Sequence, residues 1–137
     1  MKRFVVDCSV VMAWCFEDEA DRYSDSILDM LVDVQAMVPS IWPLEVANVL
    51  LVAERKGRLT EADSSQFIAL LDDLPVIIDG ETSDRALSEV LFTGRQQGLS
   101  SYDAAYLELA MRQGLALATK DGKLIAAAKR CGVRLIE

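Results

Sequence analysis

Apolar residues along this chain come in short runs and helical stripes that alternate, with no fixed repeat period. Arg3-Phe4-Val5-Val6-Asp7 is an apolar run closed by a carboxylate, the pattern of a strand covered on both faces. A short apolar helix is predicted over residues 10–16 and a second over about 20–34. Ala36-Met37-Val38 reads as a strand stopped by Pro39. Residues 42–56 read as a helix with Pro43 in its first turn, where a missing N–H costs nothing, and Gly57 past its end. Thr60-Glu61-Ala62-Asp63 has the pattern of a capping box opening a helix to about residue 74. A strand at 76–78, a helix at 82–97 closed by Gly98, and a helix at 100–113 closed by Gly114 follow. The chain then offers an apolar strand at 115–119, a short helix at 123–130 and a last strand at 133–136. Strands alternating with helices in this way predict an α/β fold. The form expected is a three-layer α/β/α sandwich around a mainly parallel sheet of four to five strands, made by one domain over residues 1–137.

Composition narrows the class. With 52% apolar and 26% charged residues the chain has a globular balance, and its longest apolar runs are too short to span a bilayer. Met1-Lys2-Arg3 leads straight into the first strand, without the separate apolar segment of a signal peptide, so a cytoplasmic location is expected. Cys8, Cys15 and Cys131 are odd in number and lack C-x-x-C spacing, which fits free thiols better than a disulfide framework. Histidine is absent. That excludes Ser-His-Asp and Cys-His catalysis and the His-ligated zinc hydrolases. The net charge of −8 argues against holding nucleic acid by bulk attraction to its phosphates.

The acids carry the chemistry. Sites on open parallel sheets form beyond the carboxyl ends of the strands, where Asp7 closes the first strand and Asp121 follows the 115–119 strand. Each also has a plain structural use: Asp7 as a turn former, Asp121 as the N-cap of the last helix. Glu45 and Asn48 share a face of a helix that is otherwise apolar nearly all round and is therefore expected to be buried. A buried carboxylate needs a partner, and no basic residue lies on that face before Lys56. A metal ion or a distant arginine would serve. Asp103 is in phase with Tyr106, Leu107, Ala110 and Met111, the expected inward stripe of its helix, yet it also fits the third position of a capping box opened by Ser100. Four carboxylates gathered in one cleft repel: two about 4 Å apart cost roughly 4 kcal/mol at an effective dielectric near 20. A hard divalent cation relieves this, and an all-oxygen donor set suits Mg²⁺ or Mn²⁺.

Four stretches together resemble a known family: Val5-Val6-Asp7-Cys8-Ser9, Pro43-Leu44-Glu45-Val46-Ala47-Asn48, Leu99-Ser100-Ser101-Tyr102-Asp103-Ala104-Ala105-Tyr106 and Ala118-Thr119-Lys120-Asp121-Gly122-Lys123-Leu124. In this order and spacing they resemble the PIN-domain family, and more narrowly the VapC-type ribonuclease toxins of type II toxin–antitoxin systems, from residue 3 to the end. The resemblance implies a PIN-like fold and an endoribonuclease using Mg²⁺ or Mn²⁺. Asp7, Glu45, Asp103 and Asp121 match the family's acidic quartet, with Asp7 and Asp103 as the most direct metal ligands. Ser9, Asn48 and Thr119 match positions that order the site. A homodimer and a cognate antitoxin whose tail obstructs the cleft are implied as well, with RNA as substrate.

Bound cations reverse the local field, which answers the charge objection. Arg55, Lys56, Arg58, Arg95, Lys120 and Lys123 lie near element ends, where they can guide RNA. Trp14 and Trp42 are expected in the core or at a dimer interface rather than stacking on bases. Two alternatives stand. A Mg²⁺-binding receiver-like module would use Asp79 as phosphate acceptor, although it wants adjacent acids after the first strand and only Asp7 is there. A nuclease of the same kind could instead take DNA.

Overall fold

The computed structural model describes residues 1–137. Strand β1 (Arg3–Val6) leads into helix α1 (Cys8–Ala13), a 3-10 turn at Glu17–Glu19 and α2 (Arg22–Met30). Strand β2 (Gln35–Pro39) is followed by α3 (Trp42–Arg55) and α4 (Glu61–Asp72), then β3 (Val76–Asp79). Next come α5 (Thr82–Arg85), a π-helical stretch (Ala86–Val90), α6 (Leu91–Gln97), α7 (Ser101–Gln113), β4 (Ala116–Ala118) and α8 (Gly122–Arg130). The four strands are all parallel in the order β3-β2-β1-β4, with Val5 opposite Met37 on one side and Leu117 on the other. Helices flank the sheet, as expected for an α/β/α sandwich. Because β1 is central and covered on both faces, Phe4, Val5 and Val6 have no exposed surface, and they anchor a core shared with Ile27, Tyr106, Leu107 and Leu124.

Local chemistry sets the element ends. Thr60 and Asp63 form the expected reciprocal capping box at the start of α4. Gly98 and Gly114 close α6 and α7 at φ 66° and 65°, a left-handed conformation that glycine adopts without steric cost.

Four expectations are corrected. The 133–136 stretch is not a strand: it makes a single bridge, Leu117 to Leu135, and the sheet stops at four. The helix expected at 82–97 is interrupted by the π stretch at Ala86–Val90. Helix α3 is not buried all round. Only Trp42, Val46, Leu50 and Ala53 are buried, while Leu44 is 68% exposed and Ala47, Asn48 and Leu51 also face outward. An apolar composition therefore misled: this helix presents leucines to its surroundings rather than to the interior. On α7, Met111 likewise departs from the inward stripe and is exposed. No helix is long and apolar enough to cross a membrane.

Candidate active site at the carboxyl edge of the sheet

From β1 the chain moves outward through β2 and β3, then returns to the other side of β1 as β4. That reversal falls between β1 and β4, and it is beyond the carboxyl ends of strands at such a point that open α/β sheets build their sites. Asp7 follows β1 directly, and its N–H donates to the Ala118 carbonyl at 2.9 Å, so the two strands stay tied to their ends. Asp7 Oδ2 accepts from both Ser9 Oγ and Thr119 Oγ1, each at 2.8 Å. Thr119 Oγ1 accepts in turn from the Asp121 N–H at 3.0 Å, and Ser9 Oγ from the Lys120 N–H at 3.3 Å. A hydroxyl has one proton to give and lone pairs to fill, so these two stitch Asp7 to the turn that carries Asp121.

The other acids arrive from helix starts. Asp121 caps α8, its Oδ1 accepting from Lys123 N and Leu124 N at 2.9 and 3.1 Å. The structural use foreseen for it is real. Ser100 caps α7 by accepting the Asp103 N–H at 3.1 Å, but the Asp103 carboxylate does not bond back to Ser100 N, so the box is only half formed. Glu45, in the first turn of α3, accepts a 2.6 Å hydrogen bond from the Tyr106 hydroxyl. That phenol takes the place of the arginine considered for it. Asn48, one turn after Glu45, is exposed and makes no side-chain hydrogen bond.

Each of the four acids lies in the field of at least two of the others. Burial raises the pKa of Asp7 most, with the charge of Asp121 adding to it and the Ser9 and Thr119 hydroxyls opposing. Burial raises Glu45 as well, against the Tyr106 bond and with help from Asp7 and Asp103. Asp103 is raised by burial and then by Asp121 and Asp7, while Ser100 and Lys123 pull it down. Cys8, behind them, is pushed up to about 12 by burial and by the Glu45 and Asp7 charges, so it stays a thiol. No three acids stand close enough to grip one ion by themselves. The convergence expected from the sequence is thus electrostatic, without a closed cage of side chains.

A second acidic group makes an instructive contrast. Asp79, as buried as Asp7 at 5% exposure, is held bidentately by Arg112 at 2.7 and 3.2 Å. Arg112 also bonds the buried Glu108 at 2.9 Å and the exposed Glu81 at 3.1 Å, and Arg85 approaches Glu108 at 3.7 Å. Burial acts to raise Asp79, and the Arg112 guanidinium more than offsets it, leaving that carboxyl below its usual range. No salt bridge reaches Asp7, Glu45, Asp103 or Asp121. Sequence reading missed Tyr106 as a partner of Glu45 and the whole Arg112 cluster. Only the spacing of Glu108 and Arg112, one helical turn apart, hinted at the latter.

Two of the six basic residues expected as guides for RNA are engaged in ion pairs. Arg58 pairs with Asp18 at 3.0 Å and Glu19 at 3.3 Å and lies over the Phe16 ring at 4.1 Å. Lys120 pairs with Asp21 at 2.6 Å, and that bond is the main reason the Asp21 carboxyl falls to about 2. Arg55, Lys56 and Arg95 are exposed and form no salt bridge. Trp42 is buried, and Trp14 donates its indole N–H to the Ser24 carbonyl at 2.8 Å, so both serve the core.

A parallel sheet ordered 3-2-1-4, with acids free of salt bridges at its reversal point, defines an α/β protein with an acidic sheet edge. Residues 4–130 match the model of the PIN domain, and the chain belongs to that family. It is similar to "Ribonuclease VapC3" of Pyrobaculum aerophilum, 25% identical over 122 residues that cover 89% of this chain and 92% of that one. It is also similar to "Exonuclease VapC9" of the same organism, 35% identical over 86 residues. That stretch is 62% of this chain and spans only 61% of the relative's length. Among solved structures, a toxin–antitoxin complex from Klebsiella pneumoniae superposes with a TM-score of 0.63 at 17% identity, covering 90% of each chain. The receiver-like alternative falls here. The family is another one, and Asp79 is locked under Arg112 on β3, two strands from Asp7.

Proposed function

We propose that this chain is a metal-dependent ribonuclease and the toxin of a type II toxin–antitoxin pair, acting in the cytoplasm as one domain. Asp7 and Asp103 would hold Mg²⁺ or Mn²⁺ directly, with Glu45 and Asp121 completing the acidic site. The observation that carries this reading is the contrast between the two sets of acids. Asp79 and Glu108 are buried and neutralised by arginine, whereas Asp7 is equally buried beside three more carboxylates and has no cation of its own. Uncompensated buried charge is costly, and a site that retains it fits a positive ligand supplied from outside.

The donor chemistry fits. Every acid offers oxygen, and Asp7 keeps Oδ1, Asp121 keeps Oδ2 and Glu45 keeps Oε2 clear of the hydrogen bonds that orient them. That no three acids form a cage suits Mg²⁺, which keeps several waters and is held through one or two carboxylates. When bound, such an ion lowers the pKa of a coordinated water and offsets charge on the phosphate. The protein's own part is orientation. Ser9 and Thr119 fix the rotamer of Asp7, the α8 N-terminus fixes Asp121, and Ser100 sets the start of α7 from which Asp103 projects.

The test is cleavage of defined RNA and DNA strands with Mn²⁺ or with EDTA, by the wild type and by Asp7→Asn and Asp103→Asn. RNA cut only in Mn²⁺ and spared by both variants is expected. Cleavage at the wild-type rate by either variant would overturn the assignment, and preference for DNA strands would move the substrate. Product lengths separate internal cutting, which we expect, from stepwise removal of end nucleotides. Similarity to a toxin–antitoxin complex supports a protein partner, which a short reading frame beside the gene and its co-purification would identify. The exposed Leu44, Leu51, Ile68 and Ile78 support a homodimer, to be checked by sedimentation.

A further inference from the structure

Tyr106 is the largest wholly buried side chain of the core, and its hydroxyl meets the site. It sits one helical turn beyond Asp103 on α7, pointing inward among apolar neighbours. A phenol buried there must find a partner for its O–H, and the partner is Glu45 Oε1 at 2.6 Å, a short charge-assisted bond. The residues are 61 apart in sequence. This bond is the only hydrogen bond to the Glu45 carboxylate, and it links the first turn of α3 to the helix that carries Asp103.

The kind of partner matters. An arginine in the same place would cancel the charge of Glu45 and leave little to attract a cation, as Arg112 does for Asp79. A neutral phenol holds one oxygen and one rotamer while leaving the charge in place. We propose that Tyr106 is a positioning residue: its hydroxyl fixes Glu45 so that the free oxygen, Oε2, faces the acidic cleft ready for a divalent cation. This rests on the metal-site reading given above. The device is built into the core, since the ring is packed against the sheet and cannot swing away without opening the interior.

Tyr106→Phe removes the hydroxyl and keeps the ring. Mn²⁺ binding to the otherwise metal-free protein, followed by the electron paramagnetic resonance of free Mn²⁺, reads the effect without any need for activity. Groups that orient a metal ligand typically contribute about 10- to 100-fold in affinity, and a weakening of about tenfold is expected here. Tyr102→Phe, which alters an exposed phenol on the same helix, should leave the affinity unchanged. In a Glu45→Gln background the Tyr106→Phe change should have no further effect, because the two act through one bond. A merely structural role for Tyr106 would lower the unfolding temperature but leave Mn²⁺ affinity of the folded protein alone. Wild-type affinity in Tyr106→Phe, or an undiminished loss in the Glu45→Gln background, overturns the proposal while leaving the metal site standing if Asp7→Asn still abolishes binding. Wild-type protein that binds no Mn²⁺ overturns both.

Discussion

Replacing Arg112 by methionine tests how the second acidic cluster is held. Methionine keeps most of the stem's packing and removes the guanidinium, which is only 12% exposed and bonds Asp79, Glu108 and Glu81 together. The losses are unequal. Glu108 retains Arg85 at 3.7 Å, and the Glu81 arm is exposed and worth about 0–1 kcal/mol. Asp79 suffers most, left with the Thr82 hydroxyl and the Glu81 N–H, both at 3.3 Å. Breaking a buried pair from one side costs about 3–5 kcal/mol, and the partial access of Arg112 to solvent argues for the lower end, about 3 kcal/mol. Against a total stability of about 5–15 kcal/mol this is a large fraction. At roughly 3 °C per kcal/mol it lowers Tm by about 9 °C. Urea unfolding with an unchanged slope is the assay. The pH dependence follows from the depressed carboxyl of Asp79. Its pairing stabilises the fold above the unfolded carboxyl's value, about 3.9, and that contribution is lost as pH falls through the lower folded value. The difference between wild type and variant is therefore full at pH 7. It narrows in acid, first as the orphaned carboxyl of the variant takes up a proton and then as the paired one does. A variant within about 0.5 kcal/mol of wild type at pH 7, or a gap that does not narrow as the solution is acidified, would refute this account.

Asp7→Asn, besides reducing cleavage by at least about 100-fold, should raise the Tm of the protein in EDTA at pH 7. The sign follows from its raised carboxyl, which penalises the folded state above the unfolded value near ~3.9 and not below it, so the gain should vanish at pH 3. Asp121→Ala removes the α8 cap and should cost about 1 kcal/mol in denaturant unfolding, whereas Asp121→Ser restores the cap. Cleavage should be weak in both, which separates the capping role from the acidic one. Thr119→Val strands the Asp121 N–H and leaves Asp7 Oδ2 with Ser9 alone, and a loss of about 1–3 kcal/mol in chemical unfolding is expected.

The fold was largely legible because period and punctuation agreed. The apolar run Phe4–Val6 ending on Asp7, Pro43 in the first turn of α3 and the glycines after α6 and α7 each mark a local backbone need. The misreadings share a cause: tertiary context. Residues 133–136 have strand composition, yet β4 offers them one bridge. Helix α3 reads as interior because composition does not say which apolar face a partner covers. At the site, the Asp7 and Asp121 positions followed from strand ends, and the field joining them to Glu45 and Asp103 followed from the topology. Tyr106 and Arg112 did not, because their partners lie 61 and 33 residues away and no local period encodes such pairs.

The strand order also governs when the acidic site is assembled. The first strand to leave the ribosome takes its place at the centre of the sheet, and the one that flanks it at the acidic cleft is the last to be made. The Thr119 hydroxyl that orients Asp7 comes 112 residues later, so a nascent or truncated chain carries the first acid without its counterparts. Contacts so distant in sequence form late. A site arranged in this way stays incomplete through nearly all of the chain's own synthesis.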